Sequence, residues 1–321
     1  MAAENESSDA ARVCLMFLRD TQNPDGGWGY GPGTSSRVEA TCWALLALWE
    51  PSEQSSEDRV RVHRARDFLQ AAQLADGSWP ATHGESTGCW MTSLCCLALT
   101  SIDDKAQSST IESGLGWICD DWPSDSSPWR RFLMRFSSER EVAPIHYGYR
   151  GWGWTPGTSS WVEPTSFALL ALERVDAAEL ARKAQRRRSL ATSLLFDRMC
   201  PGGGWNAGNP VVYGAAGEPA VVPTVWALLA LRAEPARREI TQSLDWLEKT
   251  SGSIRGPGSL ALTQICLRIH GRASAKTAGD LNALLQNSGF LDNTLAAAWA
   301  VLTGGSDFWL RGKASTRTAA A

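Results

Sequence analysis

Three carboxylates share a local setting that could support chemistry. Glu39, Glu163 and Asp292 each stand two residues before a threonine (Thr41, Thr165, Thr294) at the start of an apolar helical run. If those runs lie side by side, the three side chains fall on one rim. A carboxyl group held there away from water favours its neutral form and can donate a proton, whereas an ionised one stabilises a nearby cation. Trp43, Phe167 and Trp226 lie two residues after Thr41, Thr165 and Thr224, and Trp90 and Trp299 lie in other apolar segments. Turned inward, these rings would line an apolar space and stabilise positive charge through their π faces; turned outward, they are core. A structural role competes for the glutamates. Ser36 with Glu39, and Ser160 with Glu163, have the S-x-x-E spacing of a capping box, which would tie each carboxylate to its helix start. Asp292 has Gly289 three residues earlier and no such partner, so it is the better functional candidate on this ground.

The elements that must position these residues belong to an internal repeat. Residues 27–41 read G-W-G-Y-G-P-G-T-S-S-R-V-E-A-T, and residues 151–165 read G-W-G-W-T-P-G-T-S-S-W-V-E-P-T. The first leads into W-A-L-L-A-L and the second into F-A-L-L-A-L. A third relative, V-P-T-V-W-A-L-L-A-L at 222–231, follows Gly203, Gly204 and Trp205. Self-similarity of this kind fixes the architecture before any single residue is interpreted. Helical spacing of apolar residues, broken by Gly/Pro/Asn turns, predicts six helix pairs. The first members fall near 9–22, 58–73, 109–121, 177–199, 237–249 and 274–287. The second members begin near Thr41, Cys89, Thr165, Thr224, Ser259 and Asp292. No period-two strand is convincing. The second helices are apolar nearly all round, which predicts an inner layer, and the charged first helices form the outer one. Such an array forms either a closed ring or an open superhelix.

Composition excludes several classes. Lys+Arg 31 against Asp+Glu 34 leaves a net charge of −3, with no footprint for nucleic acid. The polar, acidic start is neither a secretory nor a transit signal, and no apolar run reaches the roughly 20 residues that span a bilayer, so a cytoplasmic location is expected. Eight cysteines without a C-x-x-C pair read as reduced and buried. The unusual number is 16 Trp beside 4 Tyr and 8 Phe, several of them repeat markers.

Two loops fit a specific pattern. Phe17, Leu18, Gln22, Gly26 and Trp28 fit F-L-x3-Q-x3-G-x-W. Arg64, Ala65, Phe68, Leu69, Gln73, Gly77 and Trp79 fit the fuller R-A-x2-F-L-x3-Q-x3-G-x-W. Later copies are degenerate, with Trp122 and Met199 where glutamine belongs. The chain therefore resembles the QW-repeat superfamily of squalene-hopene and oxidosqualene cyclases and of protein prenyltransferase β-subunits. The resemblance implies an all-α fold, an (α/α)6 toroid with a central apolar cavity for an isoprenoid or other apolar small molecule. The chain's own pattern sets the expected domain limits: a disordered N-terminus at 1–8, one toroid domain at 9–304 with the insertion at 122–150, and a flexible, small and polar tail at 305–321.

The family chemistry is only partly present. The Asp-x-Asp-Asp acid of class II terpene cyclases is absent; its register in repeat two reads Gly88-Cys89-Trp90-Met91. Asp197 and Cys200 lack the spacing of the prenyltransferase zinc ligands, and the four histidines are scattered, so no metal site is expected. Magnesium would enter only with a diphosphate substrate. The resulting expectation is a terpene cyclase-like protein that binds a polyprenyl chain beside Trp43, Trp90, Phe167, Trp226 and Trp299. Glu39, Glu163 or Asp292 would serve as acid in a divergent cyclase or isomerase. The alternative is a non-catalytic toroid that scaffolds a protein partner; a prenyltransferase β-like subunit comes third. An insertion at 122–150 places Trp129, Phe132, Leu133 and Phe136 at i, i+3, i+4, i+7 among arginines. Residues 128–136 thus read as a lid, a peripheral membrane contact or a partner site.

Overall fold

A computed structural model of the chain describes residues 2–49 (backbone alone for 2–10), 55–102, 109–124, 127, 129, 132, 145–175, 178–287 and 292–310. Among the described residues the outer helices are α1 (Ala2–Asp20), α3 (Ser56–Ala71), α5 (Ser109–Asp120), α7 (Ala178–Asp197), α9 (Arg238–Ser251) and α11 (Ala275–Asn287). The inner helices are α2 (Val38–Leu48), α4 (Met91–Ile102), α6 (Val162–Leu172), α8 (Val221–Ala230), α10 (Pro257–Ile269) and α12 (Thr294–Gly304). Each inner helix packs on the next, and α12 packs back on α2 while α1 packs on α11 and α12. The array is therefore a closed all-α toroid rather than an open superhelix.

Patterning explains the two layers. In α2 every residue except Glu39 is buried, and α6 differs only in the same way at Glu163. α9 instead buries one stripe, Ile240, Ser243, Leu244 and Leu247, at i, i+3, i+4, i+7. Among the described residues, extended pairing is confined to a hairpin of two-residue strands, β1 (Val211–Val212) with β2 (Ala215–Ala216), in the loop before α8, and to isolated bridges in the Gly/Trp loops.

The Gly/Trp loops are joints between the layers. In four repeats the loop tryptophan donates its indole N–H to a carbonyl at the end of the preceding outer helix: Trp28 to Leu18, Trp79 to Leu69, Trp152 to Ile118 and Trp205 to Leu195, at 2.6–2.9 Å. Its backbone N–H donates to the threonine of the following inner helix, Thr41, Thr92, Thr165 or Thr224, at 2.9–3.0 Å. Gln22 and Gln73 bond the loop glycine and the next outer helix at once. Gly26 and Gly77 have φ of +91° and +89°, and a Cβ there would meet a carbonyl of that next helix at 2.5 and 2.7 Å. In repeat three, where Trp122 replaces glutamine, Arg187 takes over. It lies between the Trp122 and Trp152 rings, 4.0 Å from each centroid, and donates to Gly151 O at 3.0 Å. Only 1% exposed, Arg187 is part of the core and not of a solvated basic face.

Neighbouring repeats are stitched at the inner-helix starts. Val38 N donates to Ala81 O, Trp90 N to Trp154 O and Val162 N to Ala207 O, each reaching the loop of the next repeat. The ring closes the same way, Thr294 N donating to Tyr30 O at 2.9 Å and Thr294 Oγ1 to Gly29 O at 2.7 Å.

Three sequence expectations need correction. α1 begins at Ala2, so the backbone of residues 2–8 is helical where the sequence predicts a disordered N-terminus; alanine and glutamate are good helix formers. In the region expected to be a flexible tail, Phe308–Leu310 form a 3-10 turn in which Trp309 and Leu310 are 0% and 3% exposed, because they fill an end of the ring. Residues 311–321 lie outside the described residues. The capping boxes do not form either. The helix N-caps are Arg37 and Trp161, without side-chain caps. Ser36 is held instead by Asp25 and Asn23, and Ser160 accepts from Gly151 N.

Candidate active site at the inner-helix rim

Released from capping, Glu39 and Glu163 turn to other neighbours. Both are half-buried at the second position of their helices. Each stands four residues before an aromatic, Trp43 or Phe167, so carboxylate and ring share one helix face. Trp43 packs directly on Phe167, with centroids 6.3 Å apart. Trp90 stands in the turn just before α4, which packs between α2 and α6, and its ring meets Phe167 at 5.0 Å and Trp154 at 5.3 Å.

The two carboxylates differ in proton affinity. Tyr30 Oη donates to Glu39 Oε2 at 2.7 Å. Burial raises the Glu39 carboxyl above its ordinary range, and the phenol bond works against that rise by favouring the ionised form. Burial and the adjacent carboxylate raise the phenol as well, keeping it protonated and able to donate. Among the described residues no donor reaches the Glu163 carboxylate. Burial first, and the Glu39 charge second, push it up to about 7. Near neutral pH Glu163 is thus divided between a neutral acid and a carboxylate, as a general acid requires. Asp292 does not join the pair. It is exposed, one residue outside the α12 N-cap Asn293, whose side chain accepts from Ala296 N at 3.0 Å.

Below the rim, the expected central apolar cavity is occupied by the aromatic residues themselves. Trp43, Phe167 and Trp226 are 0%, 3% and 2% exposed. Trp43 stacks on Trp226 at 5.4 Å and meets Trp299 and Trp309 edge-on at 5.8 and 5.6 Å; Phe167 lies 4.5 Å from Trp226. Trp90 and Trp299 remain half-buried. Close packing explains the filling: four indoles and a phenyl from facing positions exceed what a ring of small residues leaves open. The fit is incomplete in its polar part. The indole nitrogens of Trp43, Trp299 and Trp309 are buried without a hydrogen-bond partner. Such an orphaned donor costs about 1–3 kcal/mol.

The far end of the ring, at the inner-helix C-termini, is closed by the 3-10 turn. Arg174, 5% exposed just beyond α6, donates to Trp309 O at 2.6 Å and to Ser101 Oγ at 3.2 Å. Arg232 donates to Leu310 O and pairs with Glu173. Arg268 pairs with Asp307 at 2.5 Å.

Asp197 accepts from His146 N at 2.9 Å, Cys200 is buried, and among the described residues no cluster of His, Cys, Asp and Glu could hold a metal ion. All eight cysteines are free and buried. Among the described residues no helix is long and apolar enough to cross a membrane. Most of 128–136 falls outside the described residues; Trp129 and Phe132 are exposed, their rings stacked at 5.9 Å.

Sequence reasoning missed Tyr30, Trp154, Arg174, Arg232 and Trp309. Tyr30 and Trp154 were legible in principle: they are the same repeat position, and one of the few at which residues 27–41 and 151–165 differ.

The molecule can be set beside known proteins. No known family profile matches the chain. A stretch of 68 residues is 35% identical to drimenyl diphosphate synthase from Streptantibioticus cattleyicolor, covering 21% of this chain and 12% of that enzyme. A single-residue variant of the type II terpene cyclase MstE from Scytonema, in complex with geranylgeranyl dihydroxybenzoate, superposes with a TM-score of 0.55 at 15% identity, over 88% of this chain and 79% of that one. A crystal structure of a protein from Actinoplanes gives 0.52 at 17% identity, over 89% and 80%. The chain has a terpene cyclase-like fold.

Proposed function

We propose that the chain is a terpene cyclase-like protein that protonates an isoprenoid at the rim of its inner helices, with Glu163 as acid. The observation that carries this reading is the Glu163 carboxyl. It is free of any capping bond, lifted to about 7, and stands on the same helix face as Phe167. The likeness to a terpene cyclase with a bound geranylgeranyl compound and the short match to drimenyl diphosphate synthase support the substrate class.

The neutral carboxyl gives its proton to one carbon of an alkene, leaving a tertiary cation on the other carbon. The next double bond attacks that cation and closes a ring. Loss of a proton from the final cation to a carboxylate of the rim restores the acid, so the reaction is an isomerisation with nothing oxidised or reduced. Phe167, Trp90 and Trp154 present π faces that stabilise the cation and keep water away from it. Glu39, ionised more readily through Tyr30, supplies negative charge beside it. The exposed parts of Trp90 and Trp299 are where the hydrocarbon first meets the ring.

The filled centre favours a second reading, a toroid that acts as a scaffold for a protein partner. One experiment separates the two. Purified protein is incubated with squalene and with farnesyl and geranylgeranyl diphosphates, with and without magnesium, and products are analysed by gas chromatography–mass spectrometry. A cyclised or isomerised product that disappears in Glu163→Gln supports the acid. No product from a well-folded preparation removes the enzyme reading for these substrates and leaves the scaffold.

A further inference from the structure

The end of the ring opposite the acid is closed by a segment that behaves as a stand-in for a ligand. The stretch Asp307–Leu310 brings three kinds of group to it. The Trp309 side chain, fully buried, is an apolar body packed against Trp43. The carbonyls of Trp309 and Leu310 are oxygen acceptors on Arg174 and Arg232. The Asp307 carboxylate is an anion on Arg268. Three guanidinium groups from the ends of three successive inner helices, α6, α8 and α10, thus converge on one short peptide. The match is imperfect where a true ligand would complete it. Arg174 Nη1 and the indole nitrogens of Trp43, Trp299 and Trp309 are all buried and unpartnered. Three of these, Arg174 Nη1 and the indole nitrogens of Trp43 and Trp299, belong to the ring and not to the turn, while Asp307 Oδ1 of the turn is ion-paired with Arg268 but makes no hydrogen bond. The turn's acceptors thus do not match the ring's donors.

We infer that the C-terminal turn occupies a binding site for an anionic amphiphile, whose hydrocarbon replaces Trp309 among the tryptophans and whose oxygen-rich head replaces the two carbonyls and Asp307 on Arg174, Arg232 and Arg268. The inference rests on the proton-donor reading only for an isoprenoid body; the site itself does not need it. In this arrangement the head lies at the inner-helix C-termini and the tail points through the ring toward Glu39 and Glu163. A phosphate or diphosphate head suits three converging guanidiniums better than an alcohol does. Displacement of the turn opens the centre that its own rings now fill. While closed, the turn lowers the apparent affinity by the fraction of molecules in which it is displaced.

The test uses the full chain and two probes with one tail, dodecyl phosphate and dodecanol, neither of which has an alkene. By titration calorimetry, Trp309→Ala should bind dodecyl phosphate about tenfold more tightly than the unaltered protein, because the competing segment is gone. Adding Arg174→Gln should erase the preference for dodecyl phosphate over dodecanol. In the unaltered protein, saturating dodecyl phosphate should speed hydrogen exchange of the Leu310 amide, which now donates to Asp307 O at 2.9 Å. That measurement decides the matter alone should Trp309→Ala fail to fold. Unchanged exchange at Leu310 on saturation, or equal affinity of folded Trp309→Ala and the unaltered protein, overturns the inference. The two readings fail separately. Dodecyl phosphate can release the turn although no prenyl substrate reacts, and a product lost in Glu163→Gln with Leu310 exchange unmoved would leave the acid and remove the amphiphile site.

Discussion

Repeats one and three are close copies in sequence and nearly superimposable in bonding, yet they present different chemistry at the rim. Trp28 and Trp152 donate to Thr41 and Thr165 at the same 3.0 Å, and both pair in short antiparallel bridges with Arg37 and Trp161. The glutamates occupy one register position. The loop residue facing them differs: Tyr30 gives Glu39 a phenol donor, whereas its counterpart Trp154 packs on Trp90 and gives Glu163 none. The same scaffold therefore holds one carboxylate whose burial-raised proton affinity a phenol donor opposes and one whose proton affinity burial and its neighbour raise without such opposition. The repeat fixes where the acid stands; a single loop side chain fixes which way its proton goes.

The largest effect should fall on catalysis. Glu163→Gln should lower product formation about 10²–10⁴-fold, whereas Glu39→Gln, removing charge but not the acid, should cost nearer tenfold. Equal losses in single-turnover assays would break the comparison.

Next in size is the scaffold, where the repeats should behave alike. Thr41→Val and Thr165→Val each orphan a buried tryptophan N–H and should destabilise by about 1–3 kcal/mol, measured by urea unfolding. Costs that differ by more than this range would show that the joints are not equivalent.

A third test follows pH. The Glu163 carboxyl binds its proton more tightly folded than unfolded, so between about 4.5 and about 7 the folded state holds more protons. Stability from this group is full below 4.5 and is lost as pH rises through about 7. Thermal scans across that window should show a decline in the unaltered protein that flattens in Glu163→Gln, and Glu39→Gln should also lower the upper edge of the window by removing the neighbouring charge. The smallest effect is expected of Tyr30→Phe, which removes a bond favouring ionised Glu39 and should move its carboxyl titration upward, seen by carbon-13 NMR of the side chain.

The sequence and the structure agree where periodicity speaks and part where single side chains choose partners. Six helix pairs, the inner and outer layers and the tryptophan joints follow from apolar spacing and the Gly/Trp loops, because those features repeat and each copy checks the others. The capping boxes did not follow. Ser36 has the right spacing to Glu39, but Asp25 and Asn23, brought close by the loop turn, claim its hydroxyl. Trp309 was illegible for a different reason: G-G-S-D-F-W-L has the composition of a tail, and Arg174 and Arg232 just beyond α6 and α8, with Arg268 in the last turn of α10, all distant in sequence, give it a place. Whether the tryptophans would line a space or fill it depends on their volumes meeting across the ring, which no local pattern records.

The closure of the ring has a consequence for how the protein is made. Thr294 reaches back 265 residues to the loop that carries Tyr30. In an open array the first repeat could fold on the ribosome and wait for its neighbours. Here the loop that orients the Tyr30 phenol toward Glu39 gets its final hydrogen bonds only after α12, which begins at Thr294, has been synthesised, so all six helix pairs must be made before the rim is assembled. A contact of such sequence separation makes folding slow and late-committing, and it delays the paired carboxylates until the whole circle is shut.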